Sequence, residues 1–552
     1  MFLRKLRIIA VILLATIAAM PMDAQTRRQT TKKKTTTSAA ARRQAAKKKA
    51  VKRPTTRART ASARTRSASS RSRRASSRSK RAAGRGRRAP VVPVVNYTAP
   101  RSAASLTADL GAMASRVRAG QFGVMIVSLT RGDTLLAYNA GTPLLPASTM
   151  KMLTSVAAFE RLGPSYRFST DVLYDGTIGT DGTLTGNLYL RGDGDPTLSG
   201  RYLRGGPGAP MQLLADQVAA RGIKRVTGTV IGDATAFDNE LIPQGWLSRY
   251  LQSGYAARVS GLSLNENLIW VTVVPGQGAK LEPATSAIPL VNNVRTVKGG
   301  GARLSIRRDR AGEITVSGTI GSGSIPRRYV YVVENPAPFT TGALRSALVA
   351  KGVAVDGAIQ LGKTPQGATK LASVQSPTLD RIVAAMNRES INHYAELLLR
   401  NAARGPKRDI VGNAATSQAL LRNIFATKIG ADTMNLRVAD GSGLSTLDRV
   451  TPRAMTQMLG FAHRAPWGPW FHSSLPVAGE SELMRRRMRG GQAQGNLHAK
   501  TGTTNDVIAL GGYVTAMNGE VMAFSFIYNG RDRGSARLSM DAMGQTLANF
   551  VR

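Results

Sequence analysis

The run Phe122–Leu129 is β-rich and mostly apolar, breaks at Arg131-Gly132-Asp133 and returns as a second strand over Thr134–Ala140, which predicts a β-hairpin. Pro146 and Ala147 then lead into Ser148–Leu162, where Met152, Val156 and Phe159 recur at helical spacing and Gly163-Pro164 supplies a stop. From about Asp171 to Gln366 the texture changes. Short β-rich runs (Thr183–Leu190, Arg225–Ile231, Ile269–Val274, Tyr329–Val333) are separated by many glycines, and helical spacing is found only around Met211–Arg221. Beyond Ser376 it returns over Leu379–Arg404 and again from Thr451-Pro452, an N-cap followed by proline at the first helical position. The tail reads as a strand carrying Lys500-Thr501-Gly502, a hairpin over Val507–Tyr528 and a helix from about Ser535 to Phe550. Strands at both ends can therefore share one antiparallel sheet flanked by helices, an α+β fold with a large, mainly β insertion of one or two domains. The expected division is 101–170 plus 367–552 for the sheet-and-helix domain and 171–366 for the insertion.

The first hundred residues differ from the rest. Arg4, Lys5 and Arg7 precede the apolar run Ile8–Met20, and Ala24 offers a small residue before Gln25. A charged start, a short apolar run and a small residue at the cut predict a signal peptide over 1–24, cleaved near Ala24. The run is shorter than the roughly 20 residues that span a bilayer as a helix. The expected location is thus outside the cytoplasm, periplasmic or envelope-associated. Residues 26–90 hold 25 Lys or Arg and no Asp or Glu. With almost nothing apolar to bury, residues 25–100 are expected to form a disordered basic linker. Behind a signal peptide its expected partners are anionic envelope polymers or lipid head groups, and no specific nucleic acid.

The composition closes some routes. Among 552 residues there is no cysteine, which excludes thiol catalysis and zinc-thiolate sites. Four histidines (His393, His463, His472, His498) and no H-E-x-x-H leave little for a His-based metal centre. No metal or organic cofactor is expected.

Three short motifs remain. Ser148-Thr149-Met150-Lys151 is S-x-x-K: at a helix start, positions i and i+3 share a face, so the lysine amine reaches the serine hydroxyl. A hydroxyl is a weak nucleophile until a base takes its proton, and a desolvated lysine can be that base. Ser390-Ile391-Asn392 is S-x-N, a second hydroxyl with an amide. Lys500-Thr501-Gly502-Thr503 is K-T-G, where a cation and two hydroxyls can hold a carboxylate and the glycine admits close backbone approach. Each motif alone is weak: Ser77–Lys80 also matches the first and Ser263-Leu264-Asn265 the second. In this order, on a helix after a hairpin, in a helical region and on a late strand, the three form the penicilloyl-serine transferase signature.

With these motifs the chain resembles the class C low-molecular-mass penicillin-binding proteins, the D-alanyl-D-alanine carboxypeptidases and endopeptidases. The resemblance runs from about Phe122 to the C-terminus. It includes Pro146–Lys151, Gly194-Asp195-Pro196-Thr197-Leu198, Ser263-Leu264-Asn265-Glu266-Asn267, Met386–Asn392, Asp440-Gly441-Ser442-Gly443-Leu444-Ser445 and Ala499–Thr503. In that family a long insertion separates the first two motifs, which favours Ser390 over Ser263. Ile391 departs from the Asp or Asn common at its position. The resemblance implies a β-lactamase/DD-peptidase-like domain and acyl transfer through a serine ester. Ser148 would be the nucleophile and Lys151 its base, with Ser390 and Lys500 returning a proton. Asn392 would hold a substrate amide, and Thr501 and Thr503 beside Gly502 the terminal carboxylate. The Ser148 and Thr503 N–H groups would form the oxyanion hole. Peptidoglycan peptides are the implied substrates and β-lactam antibiotics the implied inhibitors. A β-lactamase is disfavoured, because no E-x-x-L-N segment supplies a deacylating glutamate. An inert wall-binding scaffold is opposed by three intact motifs.

Overall fold

The computed structural model describes residues 97–309 and 312–552. The expected signal peptide and most of the basic linker, including Ser77–Lys80, lie outside the described residues. At the linker's end, the Val551 N–H donates to the Pro100 carbonyl (3.1 Å), so packed chain reaches at least to Pro100.

Five antiparallel strands make the central sheet, in the order His498–Thr503, Val507–Thr515, Val521–Gly530, Gly120–Ser128, Thr134–Tyr138. The two chain ends meet here, with Val124 opposite Phe526 and, on its other side, Tyr138. The period of two decides what each face buries. On Val521–Gly530, Met522, Phe524, Phe526 and Tyr528 pack towards the helices Ala103–Ser115 and Arg533–Ala548. Ala523 and Ile527 point the other way, into a larger core with Met152, Val156 and Phe159 of the helix Met150–Leu162. These three side chains are at most 1 % exposed, and burying each contributes about 1.5–3 kcal/mol.

Two helices depart from the expected pattern. The predicted single helix Leu379–Arg404 is two, Leu379–Glu389 and Asn392–Arg404, broken where Ser390 takes a left-handed conformation (φ 59°). Pro336–Ala350 is helical, although helical spacing between Asp171 and Gln366 is expected only around Met211–Arg221. Proline at the first position is a start signal, and Phe339, Leu344 and Leu348 bury one face.

Between the motifs lies a second body of sheets. Ile359–Leu361, Val230–Asp233, Leu188–Arg191, Ser169–Tyr174 and Thr369–Gln375 form a mixed five-stranded sheet. The helices Ala209–Ala220 and Pro336–Ala350 share its core. Its last two strands pair antiparallel across the expected boundaries at 170/171 and 366/367, so those boundaries cut through a sheet. A four-stranded and two three-stranded sheets complete the region.

Candidate active site

Ser148 lies in a tight turn, Ala147–Thr149, that runs directly into the helix Met150–Leu162. Ala147 before it is held at φ 45°, a conformation an alanine takes only under constraint. The constraint is contact: a Cβ on Gly502 would stand 2.7 Å from the Pro146 carbonyl and 3.2 Å from the Ala147 Cβ. The K-T-G strand therefore presses on the Ser148 turn, and only glycine allows it.

One helical turn beyond Ser148, Lys151 is completely buried. Its Nζ lies 3.0 Å from Ser148 Oγ, 2.6 Å from Asn392 Oδ1 and 2.8 Å from the Ser442 carbonyl. Burial disfavours its charged form and lowers its pKa to about 8, while the Asp440 and Glu396 carboxyls pull it back up. On the other side of the site, Lys500 Nζ donates to Ser390 Oγ (2.9 Å) and the Thr501 carbonyl (3.0 Å). Burial, reinforced by Lys151, pushes the Lys500 pKa well below its ordinary value. Two desolvated amines thus flank two hydroxyls.

The rest of K-T-G is graded from inside to outside: Gly502 is buried, Thr501 half-buried and Thr503 exposed. The strand His498–Thr503 is the edge of its sheet. Its Ala499 N–H points off that edge to the Pro476 carbonyl (2.9 Å), whereas the N–H of Thr504 points back to Val507. N–H groups alternate along a strand, so that of Thr503 faces the free edge, the side needed for an oxyanion donor.

Of the two S-x-N matches, only one meets a lysine. Ser263 donates to the Ser260 carbonyl (2.9 Å) and accepts from Asn267 Nδ2 (3.0 Å), a closed structural turn. The structure brings Ser148, Lys151 and Asn392 together directly, and Ser390 to Lys500. Sequence reasoning missed Tyr255, whose carbonyl takes one N–H of Asn392 (2.9 Å) and brings the insertion to the site. It gave no role to Ser442, although the D-G-S-G segment was visible. Nor did it single out Glu396, four positions after Asn392 on the same helix face. No group of three or more His, Asp or Glu suited to a metal occurs among the described residues.

A helix-borne serine beside a buried lysine, with a second serine–lysine pair across from it on an α+β scaffold, fits a serine peptidase of the penicillin-binding type. Residues 105–550 match the D-Ala-D-Ala carboxypeptidase 3 (S13) family, and the chain belongs to it. The D-alanyl-D-alanine carboxypeptidase of Actinomadura sp. (strain R39) is 33% identical over 452 residues, 78% of this chain and 81% of that protein. D-alanyl-D-alanine carboxypeptidase DacB of Haemophilus influenzae is 27% identical over 428 residues, 75% of this chain and 86% of its own. In fold, the crystal structure of penicillin binding protein 4 (dacB) from Haemophilus influenzae superposes with a TM-score of 0.66 at 24% identity. It covers 80% of this chain and 98% of that one.

Proposed function

We propose that this chain is an exported serine DD-peptidase that cleaves the terminal D-alanyl-D-alanine bond of peptidoglycan stem peptides through a Ser148 acyl-enzyme. The observation that carries the reading is the buried Lys151 amine, 3.0 Å from Ser148 Oγ and with a pKa brought down to about 8. A neutral amine has two N–H donors and one lone pair. Asn392 Oδ1 and the Ser442 carbonyl use the donors, which leaves the lone pair for the Ser148 hydroxyl.

Ser148 Oγ bonds to the substrate carbonyl carbon as its proton passes to Lys151 Nζ. The oxyanion accepts from the N–H groups of Ser148 and Thr503. The C–N bond then breaks, and the departing D-alanine amine takes a proton from Lys151 relayed by the Ser390 hydroxyl beside Lys500. Asn392 keeps one N–H for the substrate backbone, the other being held by Tyr255. Thr501 and Thr503 bind the substrate's terminal carboxylate. Water attacks the ester carbon and its proton goes to Lys151; the C–Oγ bond then breaks and Ser148 Oγ takes that proton back from Lys151. β-Lactams acylate the same oxygen.

In this reading the described chain before Ser169 and after Gln375 forms the catalytic domain, and the sheets between them form an insertion that supports Asn392 through Tyr255. The same centre cleaves a cross-link when the amine on the leaving side belongs to a second stem peptide, so endopeptidase action is part of the proposal. Export rests on the amino-terminal sequence; no helix among the described residues is long and apolar enough to cross a membrane.

Fluorescent penicillin should label the wild-type chain, and Ser148→Ala should lower labelling by at least about 10⁴-fold without changing its circular dichroism. Undiminished labelling of that variant would defeat the mechanism. Digestion of defined uncross-linked and cross-linked muropeptides, read by mass, separates release of D-alanine from cleavage between stems.

A further inference from the structure

The Ser442 carbonyl is one of the two fixed acceptors that aim Lys151, and it sits in a loop with no regular pairing of its own. What holds that loop is a pair of buried carboxyls, Glu396 (3 % exposed) and Asp440 (4 % exposed). Glu396 accepts the N–H groups of Gly441 (3.1 Å) and Ser442 (2.9 Å), one on each oxygen. Asp440 Oδ1 accepts those of Ser442 (3.1 Å) and Gly443 (2.6 Å), and its Oδ2 accepts those of Ser445 (2.8 Å) and the Trp246 indole (2.8 Å). From the Lys151 helix, Thr154 Oγ1 donates to the Gly441 carbonyl (2.7 Å). With its amide donors bound from behind, the Ser442 peptide has only one direction left for its carbonyl, towards Lys151 Nζ at 2.8 Å.

We propose that Glu396 and Asp440 are positioning residues for the reaction. They fix the loop so that Lys151 is aimed at Ser148, and carboxyl charge behind the loop, that of Asp440 first, raises the pH at which Lys151 gives up its proton. The inference rests on the acyl-enzyme reading above. Asp440 and Glu396 behind the loop bear on Lys151, Lys500 faces it across the site, and Asp448 is buried against Asp440. Arg400, one turn beyond Glu396, counters the burial that pushes Glu396 up to about 8. Trp246 belongs to the region between the first two motifs, so through Asp440 the insertion reaches the base as well as Asn392.

The direction follows from the charges. Lys151 acts when neutral, so acylation rises with pH through its pKa. A negative neighbour raises that pKa, and removing it lowers it. Asp440→Asn keeps the size but loses the charge, and it turns an amide N–H₂ towards donors at Ser445 and Trp246. The second-order rate constant for penicillin acylation should be followed from pH 5 to 10 in the full chain. For Asp440→Asn we expect the plateau to fall about tenfold and the acid limb to move about one pH unit lower. Glu396→Gln should move both in the same directions by less. Trp246→Phe deletes one donor and keeps the carboxylate. It should lower the plateau a few-fold and leave the limb in place, which keeps the question answerable if a charge variant fails to fold. A core truncation away from the site, Val316→Ala, should lower the Tm with plateau and limb unchanged. An acid limb that stays in place in both folded carboxyl variants overturns the proposal. If those variants do not fold, an unchanged plateau in Trp246→Phe overturns it. A wild-type chain that takes no label sinks the acyl-enzyme reading and this inference with it; a labelled wild type with immobile variants sinks only this one.

Discussion

The two serine–lysine pairs belong to one site, close enough for Lys151 to act on Lys500, but are built differently. Ser148 and Lys151 are three positions apart on one helix start, and their 3.0 Å approach follows from helical geometry once the helix forms. Ser390 and Lys500 are 110 positions apart and meet at 2.9 Å only because three tertiary arrangements coincide. Ser390 caps the helix Leu379–Glu389 in a left-handed conformation, Lys500 rides an edge strand, and that strand is pulled in over Gly502. A local pair tolerates slack in the surrounding fold, whereas an assembled pair depends on it.

The largest effect is expected from Gly502→Val. Its Cβ would stand 2.7 Å from the Pro146 carbonyl, so the strand must retreat and carry Lys500 and Thr503 with it while Ser148 and Lys151 keep their helix. A displacement of about 1 Å costs on the order of 10²-fold in rate, and losing the oxyanion donor adds to it. Penicillin labelling should fall by at least about 10²-fold with the helical circular dichroism kept. A variant labelled at the wild-type rate would mean that the contact does not align the strand.

Next in size is Ser390→Ala, which empties the assembled pair and leaves the local one intact. Losing a proton relay costs roughly 10²-fold or more. The loss should be larger for a peptide, whose amine must be protonated to leave, than for a strained β-lactam ring. Stopped-flow acylation compared with D-alanine release from a pentapeptide checks it. Equal losses on both substrates would assign Ser390 a binding role instead.

The same contrast explains what the sequence made legible. The helix starting at Ser148, the K-T-G strand, the terminal hairpin and the sheet shared by both chain ends all follow from periodicity and local stop signals. The break at Ser390 does not. Its neighbours Met386 and Ala395 continue a helical pattern across it, and the left-handed residue is imposed by packing. Asn387 at the end of the first helix is locked by Ser155 and Ser474, which come from two other helices. The role of Ser442 was hidden for a related reason. It acts through a main-chain carbonyl, which leaves no mark on residue type. Tyr255 is similar, since any residue offers a carbonyl to Asn392. Asp440 and Glu396 do carry marked side chains, yet an acidic residue in a loop or a helix reads as an exposed one until burial is known.

The smallest effect at neutral pH, and the one that probes the helix between the pairs, concerns His393. It follows Asn392 directly, is 4 % exposed, and neither ring nitrogen has a protein partner. Burial lowers its pKa from 6.5 to about 3. A base with a depressed folded pKa keeps its full stabilising share above the unfolded value and loses it as pH falls. The unfolded chain binds a proton near 6.5 that the folded chain refuses until about 3. Stability should therefore drop from pH 6.5 towards 3, by at most about 4–5 kcal/mol from this group. His393→Leu removes the titration at similar volume. At pH 7.5 the two urea midpoints should differ little, and at pH 4 the variant should be the more stable protein. Parallel pH curves for the two would show that the imidazole finds a proton partner in the folded chain.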